Sequence, residues 1–83
     1  MNNAPVIAVI GLGYVGLPLA TAFSAKYRVI GYDINEHRIE QLNNGIDATH
    51  EVGPKALQAA MDAKSSNVGL TLTHLTNDLF EAT

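Results

Sequence analysis

The segment Val6-Ile7-Ala8-Val9-Ile10-Gly11-Leu12-Gly13-Tyr14-Val15-Gly16 constrains this chain more than any other. Its first five residues are all apolar and mostly β-branched, and the run stops at Gly11. It is too short for a helix and lacks polar alternation, so it reads as a strand covered on both faces, the habit of parallel sheets. From Tyr14 the period changes. Val15, Leu19, Ala22 and Phe23 fall at i, i+4, i+7 and i+8, the one-face spacing of a helix. Pro18 is tolerable there, because the first four amides of a helix have no intrahelical partner.

The rest of the chain keeps the alternation. Arg28–Asp33 returns to strand character, and Asn35 is placed to cap a helix from Glu36 to Asn44, with Ile39 and Leu42 inward and Gly45 as its stop. Pro54 sits where the first residue of a helix tolerates it, and the helix continues over Ala56–Lys64 with Leu57 and Met61 buried. Ser65-Ser66-Asn67 breaks it. Leu70 and Leu72 alternate with Thr71 and Thr73 as a third strand, and Asn77 is placed to cap a last helix. The order β-α-β-α-α-β-α predicts an α/β fold with a parallel sheet and right-handed crossovers.

Each glycine of Gly11-Leu12-Gly13-Tyr14-Val15-Gly16 has a separate task when a strand precedes and a helix follows. Gly11 turns the chain tightly out of the strand. Gly13, without a Cβ, lets a pyrophosphate approach the backbone, and Gly16 lets helix and strand pack closely. The amides and dipole of the helix's first turn then attract phosphate. Leu12 and Tyr14 line the turn and read as packing residues. Asp33 ends the second strand 22 residues beyond Gly11, where a dinucleotide fingerprint places an acid for the adenine ribose hydroxyls. That carboxylate would repel a 2′-phosphate, and Ile34, Asn35 and Glu36 stand where a selective NADP site would put an arginine. NAD is the expected cofactor. Arg38 either reaches back to the ribose or a phosphate or is a solvated surface residue, and Ile34 is either a wall for the adenine or part of the core.

Composition removes other classes. Of 83 residues, 47% are hydrophobic and 16% charged, which excludes a disordered tail. Five basic against eight acidic residues give a net charge of −3, which argues against a nucleic-acid partner. With no cysteine there is no disulfide scaffold, thiolate zinc site or cysteine nucleophile. The longest apolar run is far short of the ~20 residues that span a membrane, and no positive charge precedes it as in a signal peptide, so the expected compartment is the cytoplasm. His37, His50 and His74 show no metal-ligand spacing. Asp47, Asp62, Asp78, Glu40 and Glu81 read as solvated charges.

The stretch from Ile7 to Ala20, with Gly11-Leu12-Gly13-Tyr14-Val15-Gly16-Leu17-Pro18 at its centre, resembles the N-terminal signature of the UDP-glucose/GDP-mannose dehydrogenase family. Gly31-Tyr32-Asp33-Ile34, Asn44-Gly45 and Glu51 support the resemblance, and the subgroup acting on UDP-N-acetylhexosamines in capsule and O-antigen synthesis is the nearest. It implies the N-terminal half of a Rossmann-type NAD-binding domain, three parallel strands in the order 3-2-1 with helices on both faces. It also implies a four-electron oxidation in which NAD takes two hydrides in turn and a sugar 6-hydroxymethyl becomes a carboxylate. Gly11, Gly13, Tyr14, Val15 and Gly16 would face the pyrophosphate, and Asp33 would hold the adenine ribose with Arg38 assisting. The family's cysteine, catalytic lysines and UDP-sugar domain are expected beyond Thr83. By this reading residues 1–83 are a partial domain without catalysis of its own, and the UDP-sugar binds only the full-length enzyme.

Half of such a sheet leaves its first strand at an edge, and apolar edges pair with other chains. A homodimer through Val6–Ile10 is therefore expected. The alternatives are a stand-alone adenine-dinucleotide-binding regulatory module and a structural dimer that binds nothing. A natural module should blunt its sheet edge with charge or proline, and Val6–Ile10 carries neither.

Overall fold

A computed structural model describes residues 5–63 and 68–81. Three strands, β1 (Val6–Ile10), β2 (Arg28–Tyr32) and β3 (Gly69–Thr73), form one parallel sheet in the order β1-β2-β3. This is the expected order. The register pairs Ile7 with Val29 and Val29 with Leu70, then Val9 with Gly31 and Gly31 with Leu72. These alternate residues share one face of the sheet. They join a single core with Leu17 and Ala20 of α1 (Gly16–Phe23), Ile39 and Leu42 of α2 (Glu36–Asn43), and Leu57 of α3 (Pro54–Asp62). A 3-10 helix, Thr76–Glu81, packs against β2.

The local signals are mostly obeyed. The Asn35 side chain accepts the Arg38 N–H at 3.1 Å as an N-cap. Gly45 ends α2 at φ +80°, with Gly45 N–H donating to Leu42 O and Ile46 N–H to Gln41 O. That pair of bonds is a Schellman cap. Pro54 is the first residue of α3, and Leu57 is fully buried. The expected break at Ser65–Asn67, the end of that helix at Lys64 and the side chain of Glu81 lie outside the described residues.

Two expectations are corrected. Only Val9 of β1 is buried and Ile10 is 63% exposed, because β1 is a terminal strand and all three α-helices contribute to the core on one face. The stripe Val15-Leu19-Ala22-Phe23 is the outward side of α1: Val15 is 77% exposed and Phe23 is stacked edge-to-face on Tyr27. A parallel stripe, Gly16, Ala20 and Ser24, faces inward instead, with Ala20 and Ser24 buried. The reason is distance. A Cβ on Gly16 would lie 1.7 Å from the Gly11 carbonyl oxygen, so only the smallest side chains fit where α1 meets β1.

Candidate functional site

The carboxyl ends of parallel strands are where α/β proteins bind ligands. Here the sheet ladder runs one residue past its strands: Gly11 N–H donates to Tyr32 O at 2.7 Å and Asp33 N–H to Thr73 O at 3.2 Å. Gly11 and Asp33 are thereby fixed side by side at that end. Gly11 turns at φ +92°, a conformation that costs glycine little. Gly13 has open space where a Cβ would project, which is room for a group to reach the backbone. Tyr14 is 69% exposed and, with Val15, forms the outer surface of the turn, so of the two residues read as packing only Leu12 is packed. No acidic residue stands in the first turn of α1, so nothing there opposes an anion at its positive end.

Leu12 carries the turn. Its side chain is fully buried and rests over the middle of β2, where Gly31 leaves room: a Cβ at Gly31 would meet both Leu12 methyl groups at 3.1 and 3.3 Å. Its peptide is held from two sides. Leu12 N–H donates to Asp33 Oδ2 at 2.9 Å, and Leu12 O accepts from Arg38 Nε at 2.9 Å and Nη2 at 2.5 Å. Asp33 Oδ1 accepts Asn35 N–H at 2.9 Å. Each carboxylate oxygen keeps a lone pair that can accept a further donor. Ile34, 84% exposed, flanks it and is not core.

Arg38 is neither solvated nor aimed outward. Its side chain is 11% exposed, and Nη1 donates to Asp47 Oδ1 at 2.9 Å. Three of its N–H groups therefore point into the protein. Asp47, read from the sequence as a solvated charge, is the opposite. Its side chain is 1% exposed and accepts from Thr49 N–H and Oγ1, Glu51 N–H and Val52 N–H. Burial alone would raise its pKa. The Thr49 hydroxyl, the Val52 amide, Arg38 and the Thr49 amide outweigh that and hold the carboxyl far below the ordinary carboxylate range. The spacing Asp47-Ala48-Thr49 is that of an Asx turn, the one sequence signal for this role. Asp78 also departs from the solvated reading, accepting from the Thr73 hydroxyl at 2.5 Å.

A groove of about 320 Å³ lies beside this end of the sheet, between α2 and the residues after β3, with Glu36, Ile39, Leu72 and His74 in its wall. The glycine turn does not line it. Among the described residues no cluster of three or more histidine and acidic side chains is placed to hold a metal ion, and no helix is long and apolar enough to cross a membrane.

Residues 5–82 match the sequence profile of the UDP-glucose/GDP-mannose dehydrogenase family, NAD binding domain. The chain is 52% identical over 61 residues to Protein CapL of Staphylococcus aureus, a match spanning 74% of this chain and 14% of that protein. It is 54% identical over 56 residues to a UDP-N-acetyl-D-glucosamine 6-dehydrogenase of Pseudomonas aeruginosa, spanning 68% of this chain and 13% of that one. Among solved structures, a UDP-D-ManNAc dehydrogenase from Pyrococcus horikoshii superposes with a TM-score of 0.75 at 36% identity, over 89% of this chain and 17% of that chain. The chain thus spans about one-seventh of the length of the curated relatives it matches.

Proposed function

Because this chain belongs to the UDP-glucose/GDP-mannose dehydrogenase family and matches its NAD-binding domain, we propose that residues 1–83 form the adenosine-diphosphate half of an NAD site in a nucleotide-sugar 6-dehydrogenase. The carrying observation is the 2.9 Å bond from Leu12 N–H to Asp33 Oδ2, which joins the glycine turn to the acid of the second strand. Gly11, Gly13, Tyr14, Val15 and Gly16 would surround the pyrophosphate at the start of α1, and Asp33 would take the adenine ribose. Bound NAD supplies the hydride acceptor. The residues of this chain bind and orient it, and their part ends there.

The substrate proposed for the whole enzyme is a UDP-N-acetylhexosamine, the class named in the relatives from Pseudomonas aeruginosa and Yersinia pestis. The product would be the corresponding uronic acid for surface polysaccharide, made in the cytoplasm. Calorimetry on the full-length protein tests the cofactor: NAD and ADP-ribose should bind and NADP at least tenfold more weakly. Absence of NAD binding up to millimolar concentration refutes the assignment. Two NAD reduced per sugar consumed would be the signature of the four-electron reaction.

A homodimer through β1 is part of the same proposal for the 83-residue chain. Its support is the terminal position of β1 and the exposure of Ile10. Sedimentation at high micromolar concentration should show twice the chain mass; a strictly monomeric mass rejects it.

A further inference from the structure

We infer that Asn44 is a latent deamidation site that the C-cap of α2 holds shut; nothing in this depends on the NAD-site reading. Asn44-Gly45 is the one Asn-Gly pair in the chain, and Asn44 is exposed to water. Asparagine is a thermolabile residue, most of all before glycine, whose backbone nitrogen no side chain shields. The Gly45 nitrogen loses its proton and bonds to Asn44 Cγ, the Cγ–Nδ2 bond breaks, and ammonia leaves. Water then opens the resulting succinimide at either carbonyl, giving aspartate or isoaspartate.

Three features of the folded chain oppose that ring closure. The Asn44 side-chain amide Nδ2 donates to Glu40 O at 3.1 Å, which turns the amide back along the helix. The attacking nitrogen is occupied, since Gly45 N–H donates to Leu42 O at 2.9 Å. And the torsion is wrong. The ring needs the Gly45 nitrogen eclipsed with Asn44 Cβ, whereas ψ of 9° at Asn44 directs it away. All three belong to the Schellman cap, whose second bond, Ile46 N–H to Gln41 O at 2.9 Å, anchors the chain beyond Gly45. Reaction therefore waits for the last turn of α2 to open, and helix ends are where a fold opens most cheaply. The product does not restore the cap. An acid at position 44 has no amide to offer Glu40 O, and its charge lies at the negative end of the helix. Isoaspartate also adds a methylene to the backbone three residues ahead of the buried Asp47. Deamidation here is thus a one-way record of each opening of α2.

The test is to hold full-length protein in mildly alkaline buffer, folded and in unfolding urea, and follow the tryptic fragment Ile39–Lys55 by mass spectrometry. The mass gain of an amide turned acid is located by fragmentation, and isoaspartate is counted with a methyltransferase. The unfolded chain should react at Asn44 before any other asparagine, and the folded protein about tenfold or more slowly, in proportion to how rarely the cap opens. Gln41→Gly loosens the last turn of α2 and leaves Asn44-Gly45 intact. It should raise the folded rate about threefold and leave the unfolded rate unchanged. Equal rates in folded and unfolded wild type would show that the cap protects nothing. An unfolded chain that spares Asn44, or reacts first elsewhere, would show that no latent site exists. A folded Gln41→Gly rate equal to wild type would put the gate outside the last turn of α2. Each of these overturns the proposal. If Gln41→Gly does not fold, the folded-to-unfolded ratio of the wild type decides by itself.

Discussion

Gly16 and Asp47 show what single residues decide here. At Gly16 the space for a methyl group is taken by the Gly11 carbonyl, so Gly16→Ala must push α1 off the strand. We expect a loss of about 3 kcal/mol or more, the upper range for overpacking, read from the urea midpoint. Asp47 works through charge. Its folded carboxyl titrates below the ordinary value, so its contribution is complete above the unfolded value of about 4 and is lost as pH falls through the folded one. Asp47→Ala strips the partner from a nearly buried arginine and should cost about 3–5 kcal/mol near neutral pH. Measured across pH 6 to 2, the gap between wild type and this variant should narrow toward acid. An unchanging gap would show that the carboxylate charge is not what stabilises the loop. The turn at Gly11, the close approach at Gly16 and the strand-end place of Asp33 were legible in the sequence, because a strand that stops at a glycine and a helix that starts on one leave a local signature. Asp47 was not, because a loop acid looks alike whether water or five donors surround it.

Among the elements, α1 is the instructive case. Its sequence offers two stripes at the same four-residue spacing, a bulky one through Val15, Leu19 and Phe23 and a small one through Gly16, Ala20 and Ser24. Hydrophobicity favours the first, but the close approach demanded at Gly16 selects the second. Periodicity could identify the helix but not its rotation, since that depends on a tertiary distance. The test is a pair of substitutions followed by urea unfolding. Leu17→Ala, in the fully buried position, should cost about 2–5 kcal/mol, whereas Leu19→Ser on the outward stripe should change stability by no more than about 0.5 kcal/mol. Equal losses would mean that α1 is rotated from the orientation described. The second helix posed no such ambiguity: Asn35 and Gly45 mark its two ends by local chemistry alone, and Ile39 and Leu42 are its only large aliphatic side chains.

At the scale of the molecule, the sheet order follows from the alternation of strands and helices, which is why it could be read in advance. What could not be read is the asymmetry. One face of the sheet takes all three α-helices into a common core, while β1 ends the sheet with Ile10 uncovered. On the proposed reading these residues supply only the adenosine side of the site, which should ignore the rest of the cofactor. For the 83-residue chain, ADP-ribose and NAD should therefore bind with affinities within about threefold of each other, and nicotinamide mononucleotide should not compete at millimolar concentration. Tight, competing binding of the mononucleotide would show a complete site within these residues.

The absent side chain at Gly31 reaches further than its own strand. Leu12 is seated in the space it leaves, like a peg in a socket, so the height of the glycine turn above the sheet is dictated from the floor below it. A methyl group introduced there would crowd the Leu72 and Leu12 methyl groups at 3.0 to 3.3 Å, and one or both must yield by a few tenths of an ångström. The seat of the peptide that Asp33 and Arg38 grasp is thus set partly by a missing side chain in the middle of a buried strand.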